Sequence, residues 1–239
     1  MSWGDQVSNR DSLPENSALY LRETPYLLSE VGLGDLPMCM TVKHLNDVMH
    51  EKSAENTQWH GIDQDVIERL PELISKPAMI MDSNSRRGDI MVVTTEVDAE
   101  GNPIVVSVRP NGRARVGGVD GPANFITSVY GRNNFAVKRG RNSLNNLMYL
   151  ATKNRLVLYW SKEKTEALFR EAGLQLPNAF NSVPSNTILK QHAGYVKENI
   201  PERLFRVEEE SDEVLLSDDS RGTGGVQEAG RGADGPVSE

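Results

Sequence analysis

The apolar residues of this 239-residue chain change their spacing at Pro77, and that change restricts the fold more than any other feature. Before Pro77 the spacing is helical. In TVKHLNDVMHEK, Val42, Leu45, Val48 and Met49 fall on one helix face behind Thr41, a good N-cap residue. In DQDVIERLPELISK, Val66, Ile67, Leu70, Leu73 and Ile74 form a second stripe that Asp63 can cap. Pro71 interrupts that stripe, so the helix either kinks there or restarts as a short second helix.

After Pro77 the period is close to two. AMIMDS, GDIMVVTTEVD, NPIVVSVRP and NFITSVYGR are rich in Val, Ile and Met and predict strands. DAEGNP predicts a hairpin turn with Gly101 at positive φ. NGRARVGGVDGP, with four glycines, reads as a mobile loop beside a binding groove. A helix in SLNNLMYLATK behind Ser143, a fifth strand in RLVLYW, and a helix from Ser161 to Gly173 follow. This order predicts a small α+β domain with its core between Met38 and Gly173.

The remaining segments carry less pattern. Residues 1–18 are polar and predicted to lack structure, and LYLRETPYLLSEVGLGDLPM reads as a lead-in without long regular elements. The domain is placed at residues 19–190, a linker at 191–206 and a disordered acidic tail at 207–239.

Charge divides the chain sharply. The net charge is -8, yet residues 207–239 hold ten acids and two bases, so the rest is neutral overall. Residues 104–155 hold nine bases against one acid, Asp120. Such a concentrated positive field favours a polyanion, and phosphate backbones are the commonest one in a cell. A basic face balanced by acidic neighbours in three dimensions is the competing reading.

Several chemistries are disfavoured. No apolar run approaches the ~20 residues of a membrane helix. The N-terminus lacks a basic stretch followed by an apolar one, so a reducing cytoplasm is expected. With one cysteine and four histidines there is no metal-ligand spacing, and no metal or other cofactor is expected. Cys39, in LPMCMT, reads as a buried inert thiol.

Two candidate groups remain. His60, in WHGI just before a helix start, suits a general acid or base, since imidazole titrates near neutrality. Ser128 and Tyr130, two apart on a strand, share one face that continues to Arg132. Hydroxyls beside a guanidinium suit a phosphate. Lys138, Arg139, Arg113 and Arg115 supply further positive charge for a substrate backbone.

TPYLLSEVGLGDLPMCMTVKHL, WHGI, IERLPELISKPAMIMDS and FITSVYGR, in that order and spacing, resemble the C-terminal domain of phage MuF-type proteins. The resemblance extends over about residues 19–190. It implies a metal-independent RNase of the barnase–EndoU–colicin–RelE type, with N-terminal helices packed on an antiparallel four-stranded sheet, or five with RLVLYW. The histidine of the family's His-Gly motif falls on His60, and its Ser-x-Tyr motif falls on Ser128 and Tyr130. RNA is then the expected substrate. An immunity protein or phage head proteins are the protein partners it suggests, in a host bacterial cytoplasm or a phage particle. A non-catalytic head-morphogenesis or nucleic-acid-binding accessory protein is the alternative.

Overall fold

The computed structural model describes residues 2–49, 62–83, 86–136 and 146–192. Helix α1 (Trp3–Ser8) is followed by β1 (Ala18–Glu23), α2 (Tyr26–Glu30), β2 (Pro37–Thr41), α3 (Val42–Met49), α4 (Gln64–Glu68) and α5 (Leu70–Leu73). Then come β3 (Met79–Asp82), β4 (Ile90–Val97), β5 (Pro103–Val116), β6 (Val119–Gly131), α6 (Leu147–Lys153), β7 (Val157–Trp160) and α7 (Lys162–Glu171).

The seven strands form one sheet in the order β1-β2-β6-β5-β4-β3-β7. The α+β class is as expected, and all five predicted strands are present as β3 to β7. The sheet is larger than the expected four to five strands, and it is not purely antiparallel, because β2 pairs with β6 in parallel. The two additional strands come from the stretch read as an irregular lead-in. Pro25 and Pro37 break it into short pieces. Strand β2 is buried at Met38, Cys39 and Met40 in succession, so it shows no alternation.

The sheet has an apolar cluster on each face. On one, α1 to α5 cover Leu19, Met40, Ile80, Val92, Val106 and Ile126. On the other, α6 and α7 cover Met79, Met91, Val93, Val105 and Trp160. The alternation Ile80/Met81, Val92/Val93 and Val105/Val106 thus divides each strand between two cores.

Local signals mostly hold. Thr41 Oγ1 accepts from the His44 amide at the start of α3. Pro71 lies in the first turn of a separate short helix, so the second of the two expected outcomes is realised. Gly101 has φ 76° in the β4–β5 turn, and Gly173 has φ 63° after α7. Asp63 and Ser161 occupy N-cap positions without a side-chain cap bond. Helix α6 is capped by Asn146, whose side chain accepts from the Tyr149 amide; the proposed cap Ser143 lies outside the described residues.

Three expectations are corrected. The glycine-rich stretch NGRARVGGVDGP is not a loop: β5 and β6 continue through it to the pair Val116 and Val119. Gly117 and Gly118, at φ 58° and 84°, close the hairpin with the two positive-φ residues that a tight turn of matching twist needs. Residues 2–18 are not unstructured either. Ser2 and Asp5 form a reciprocal capping box on α1, and the buried Trp3 donates through Nε1 to the Ile67 carbonyl at 2.7 Å. Finally, His192 lies within the linker expected from 191, yet it is 4% exposed and belongs to the folded body. Residues 193–206, and the acidic segment 207–239, lie outside the described residues.

Candidate functional site

Strand β6 carries one residue more than its partner at Thr127. Ser128 lies opposite Ser107 while Ile126 lies opposite Val108, so Thr127 has no counterpart on β5. The bulge restarts the alternation. Ile126 and Val129, three apart, both enter the helix-covered core, and Ser128 and Tyr130 turn to the opposite face. The expected sharing of a face by Ser128 and Tyr130 is therefore realised. Ile126 and Ser128, though two apart, lie on opposite faces because the bulge shifts the register.

On that face Met91, Ser107 and Ser128 form a row across β4, β5 and β6. Arg132 borders it on one side. Its Nη1 donates to the Tyr130 hydroxyl at 3.2 Å and lies 3.7 Å from Met91 Sδ, and its Nε donates to Asn134 Oδ1 at 3.0 Å. Arg109, two residues beyond Ser107, borders the other side. Its Nε lies 3.5 Å from Asp89 Oδ1. Burial pushes the Asp89 carboxyl above its ordinary range, opposed by the positive charge of Arg86 and His192. Ser107, Arg109 and Asp89 were not singled out from the sequence. The signal was present: Ser107 and Arg109 repeat on β5 the two-residue spacing of Ser128 and Tyr130.

Other expected site residues are placed apart. Ala114 and Val116 pack with Ala123 and Phe125, so Arg113 and Arg115, one residue out of step, point to the other side of the hairpin. The two arginines expected to bind substrate thus stand on a paired hairpin instead of a mobile loop. Arg115 instead donates to the Gly118 carbonyl at 3.2 Å. His60, Lys138 and Arg139 lie outside the described residues.

A second polar cluster has a different character. His192 Nδ1 is 2.5 Å from Asp82 Oδ1, and its Nε2 is 3.0 Å from the Gly88 carbonyl. Both ring nitrogens are thus engaged within the folded body. Lys190 Nζ donates to the other Asp82 oxygen at 2.6 Å, and the His192 amide donates to the Val31 carbonyl at 2.7 Å. With neither nitrogen open, this cluster is a strap that ties residues 190–192 to β3 and α2.

Cys39 is fully buried, and burial raises its thiol to about 11, as an inert thiol requires. No group of three or more His, Cys, Asp or Glu among the described residues is arranged to hold a metal ion. A cavity of about 320 Å³ lies at the β7 edge, lined by Ala151, Val157, Phe180 and Leu189 with Arg155 and Lys190. It is separated from the Ser107–Ser128 row by β4 and β3.

The pattern that defines the phage MuF C-terminal domain matches residues 51–167, which include His60, Ser128, Tyr130 and Arg132. No curated protein and no solved structure matches the chain. Strands β1 and β2, which extend the sheet past β6, lie outside the matched residues. Through residues 51–167 the chain belongs to the phage MuF C-terminal domain family.

Proposed function

We propose that the domain is a metal-independent endoribonuclease, an effector of a phage or mobile element that cleaves RNA by attack of a ribose 2′-hydroxyl on the adjacent phosphorus. The observation that carries this reading is the bonded pair Tyr130–Arg132 on the same sheet face as Ser128. In the reaction a base takes the 2′-hydroxyl proton, the 2′-oxygen bonds to phosphorus, and the 5′-oxygen leaves with a proton from an acid. The products are a 2′,3′-cyclic phosphate and a free 5′-hydroxyl.

His60 is assigned one proton-transfer role, on the family motif, and Tyr130 the other. Arg132 donates to the Tyr130 oxygen and so leaves the phenolic proton directed elsewhere. The Arg132 cation offers donors to the crowded phosphate, with Ser128 beside it on the same face. The surplus of bases in residues 104–155 favours RNA over a neutral substrate, and Lys138 and Arg139 extend that charge along the chain. An immunity protein is the partner this reading proposes, and the site of action is the host cytoplasm. No helix among the described residues is long and apolar enough to cross a membrane.

The test is cleavage of an end-labelled RNA in EDTA by the purified full chain, beside His60→Ala. Cleavage that survives EDTA, yields cyclic phosphate ends and vanishes in the variant supports the reading. Salt-sensitive RNA binding without cleavage turns it into a nucleic-acid-binding accessory protein.

A further inference from the structure

We propose that Ser107, Arg109 and Ser128 form a second phosphate subsite for a single-stranded RNA backbone, with Asp89 positioning Arg109. The proposal rests on the RNA-cleaving reading above and extends its site to the neighbouring strand.

The guanidinium of Arg109 is held by one edge. Its Nε faces the Asp89 carboxylate, whose side chain is 10% exposed, while the Arg109 side chain is 41% exposed. No described residue accepts from its terminal amino groups. Guanidinium carries five N–H donors in a fixed fork, and the four on those amino groups suit two oxygens of a phosphodiester. This ion pair limits the rotamer freedom that a surface arginine would lose on binding.

Ser107 and Ser128 supply the neutral half of the cradle. They lie directly opposite each other, are half-buried, and bond to no described residue through their hydroxyls. Side chains in such a pair stand roughly 5 Å apart at Cβ, a span that one phosphate group can bridge.

Two features select a polyanion over an isolated anion. Arg132 and Arg109 flank the Met91–Ser107–Ser128 row from opposite sides, which offers two cationic stations to successive phosphates. Phe125 lies opposite Arg109 on the same face, half-buried with its ring against Gly112, and offers an aromatic edge to a base.

The test is anisotropy with a 2′-O-methyl oligoribonucleotide, which the enzyme cannot cleave, over a salt series. Arg109→Gln is expected to raise Kd about tenfold. It should also flatten the slope of log Kd against log salt by about 0.7, the value of one phosphate contact on a single strand. Asp89→Asn separates positioning from charge. Removing a negative charge beside RNA would by itself tighten binding, whereas loss of the Arg109 anchor weakens it with the slope unchanged. Tighter binding by Asp89→Asn overturns the positioning role. Unchanged Kd and slope in Arg109→Gln, with weakened binding in Arg132→Gln, overturns the subsite and leaves the RNA reading standing. No binding by the wild type overturns both. If Arg109→Gln fails to fold, the double variant with Asp89→Asn, which leaves no buried carboxylate unpaired, carries the same measurement.

Discussion

Arg132 donates through Nη1 to the hydroxyl of Tyr130 at 3.2 Å and lies 3.7 Å from the sulfur of Met91 through the same nitrogen, so it links β6 to β4 on one sheet face. In the proposed reaction the pair acts at the bond being broken more than at the bound strand. Tyr130→Phe is expected to lower kcat about 10²-fold or more, the usual contribution of one proton donor. The KM should change by less than about threefold. Single-turnover and steady-state cleavage assays check the split. A rise in KM at constant kcat would make Tyr130 a binding residue.

The His192 strap predicts acid sensitivity. Burial works against ionisation of Asp82, but hydrogen bonds from His192 and Lys190 outweigh it and hold the carboxyl below the usual carboxylate range. A carboxyl with a lowered folded pKa stabilises fully above its unfolded value, about 3.9, and loses that contribution as pH falls through the folded one. Asp82→Asn is expected to cost about 3 kcal/mol at neutral pH, because the buried His192 loses its carboxylate partner and Lys190 its counter-charge. The gap in Tm between wild type and variant should close as the pH falls below about 4. Thermal melts over a pH series test this, and a gap independent of pH would contradict it.

Gly131 is expected to tolerate no side chain. A Cβ there would overlap the Asp98 side chain. Asp98 cannot move away freely, since its Oδ1 accepts from the amides of Glu100 at 2.9 Å and Asn102 at 2.7 Å, which shape the β4–β5 turn. Gly131→Ala should cost about 2 kcal/mol, as overpacking does elsewhere. Chemical denaturation measures it, and Asp98→Ala in the same chain should recover part of the loss through a coupling that a double-mutant cycle reads.

The N-terminal helix is part of the core. Trp3→Ala is expected to destabilise by about 3 kcal/mol, since it removes a buried indole and the bond to the Ile67 carbonyl. For a domain of this size that lowers Tm by roughly 6–12 °C. Differential scanning calorimetry of the full chain checks it, and an unchanged Tm would show that α1 contributes little.

Much of the architecture was readable along the chain. The period change at Pro77, the helical stripes of α3 and α4, and strands β3 to β7 all follow from which residues are apolar, and burial repeats locally with a fixed period. Ser128 and Tyr130 share a face for the same reason. Cys39 was legible as a buried thiol because its neighbours are apolar. Local periodicity ran out where a segment was buried on both sides, as β2 is. It also ran out where glycines that suggest flexibility instead close a long hairpin, as Gly117 and Gly118 do.

Relations across strands needed the tertiary structure. The unpaired Thr127 moves Ile126 and Val129 onto one face, and nothing in NFITSVYGR marks it, because a bulge exists only relative to the register of β5. The same register brings Ser107 opposite Ser128 and sends Arg113 and Arg115 to the far side of the hairpin. Asp89 finds Arg109, and His192 finds Asp82, over separations that no repeating pattern encodes. The sequence by itself determined which residues enter the core and most of the elements they form, because burial leaves a periodic record. Only the tertiary structure decided which polar side chains meet, because pairing depends on turns, bulges and strand order, which act at a distance along the chain.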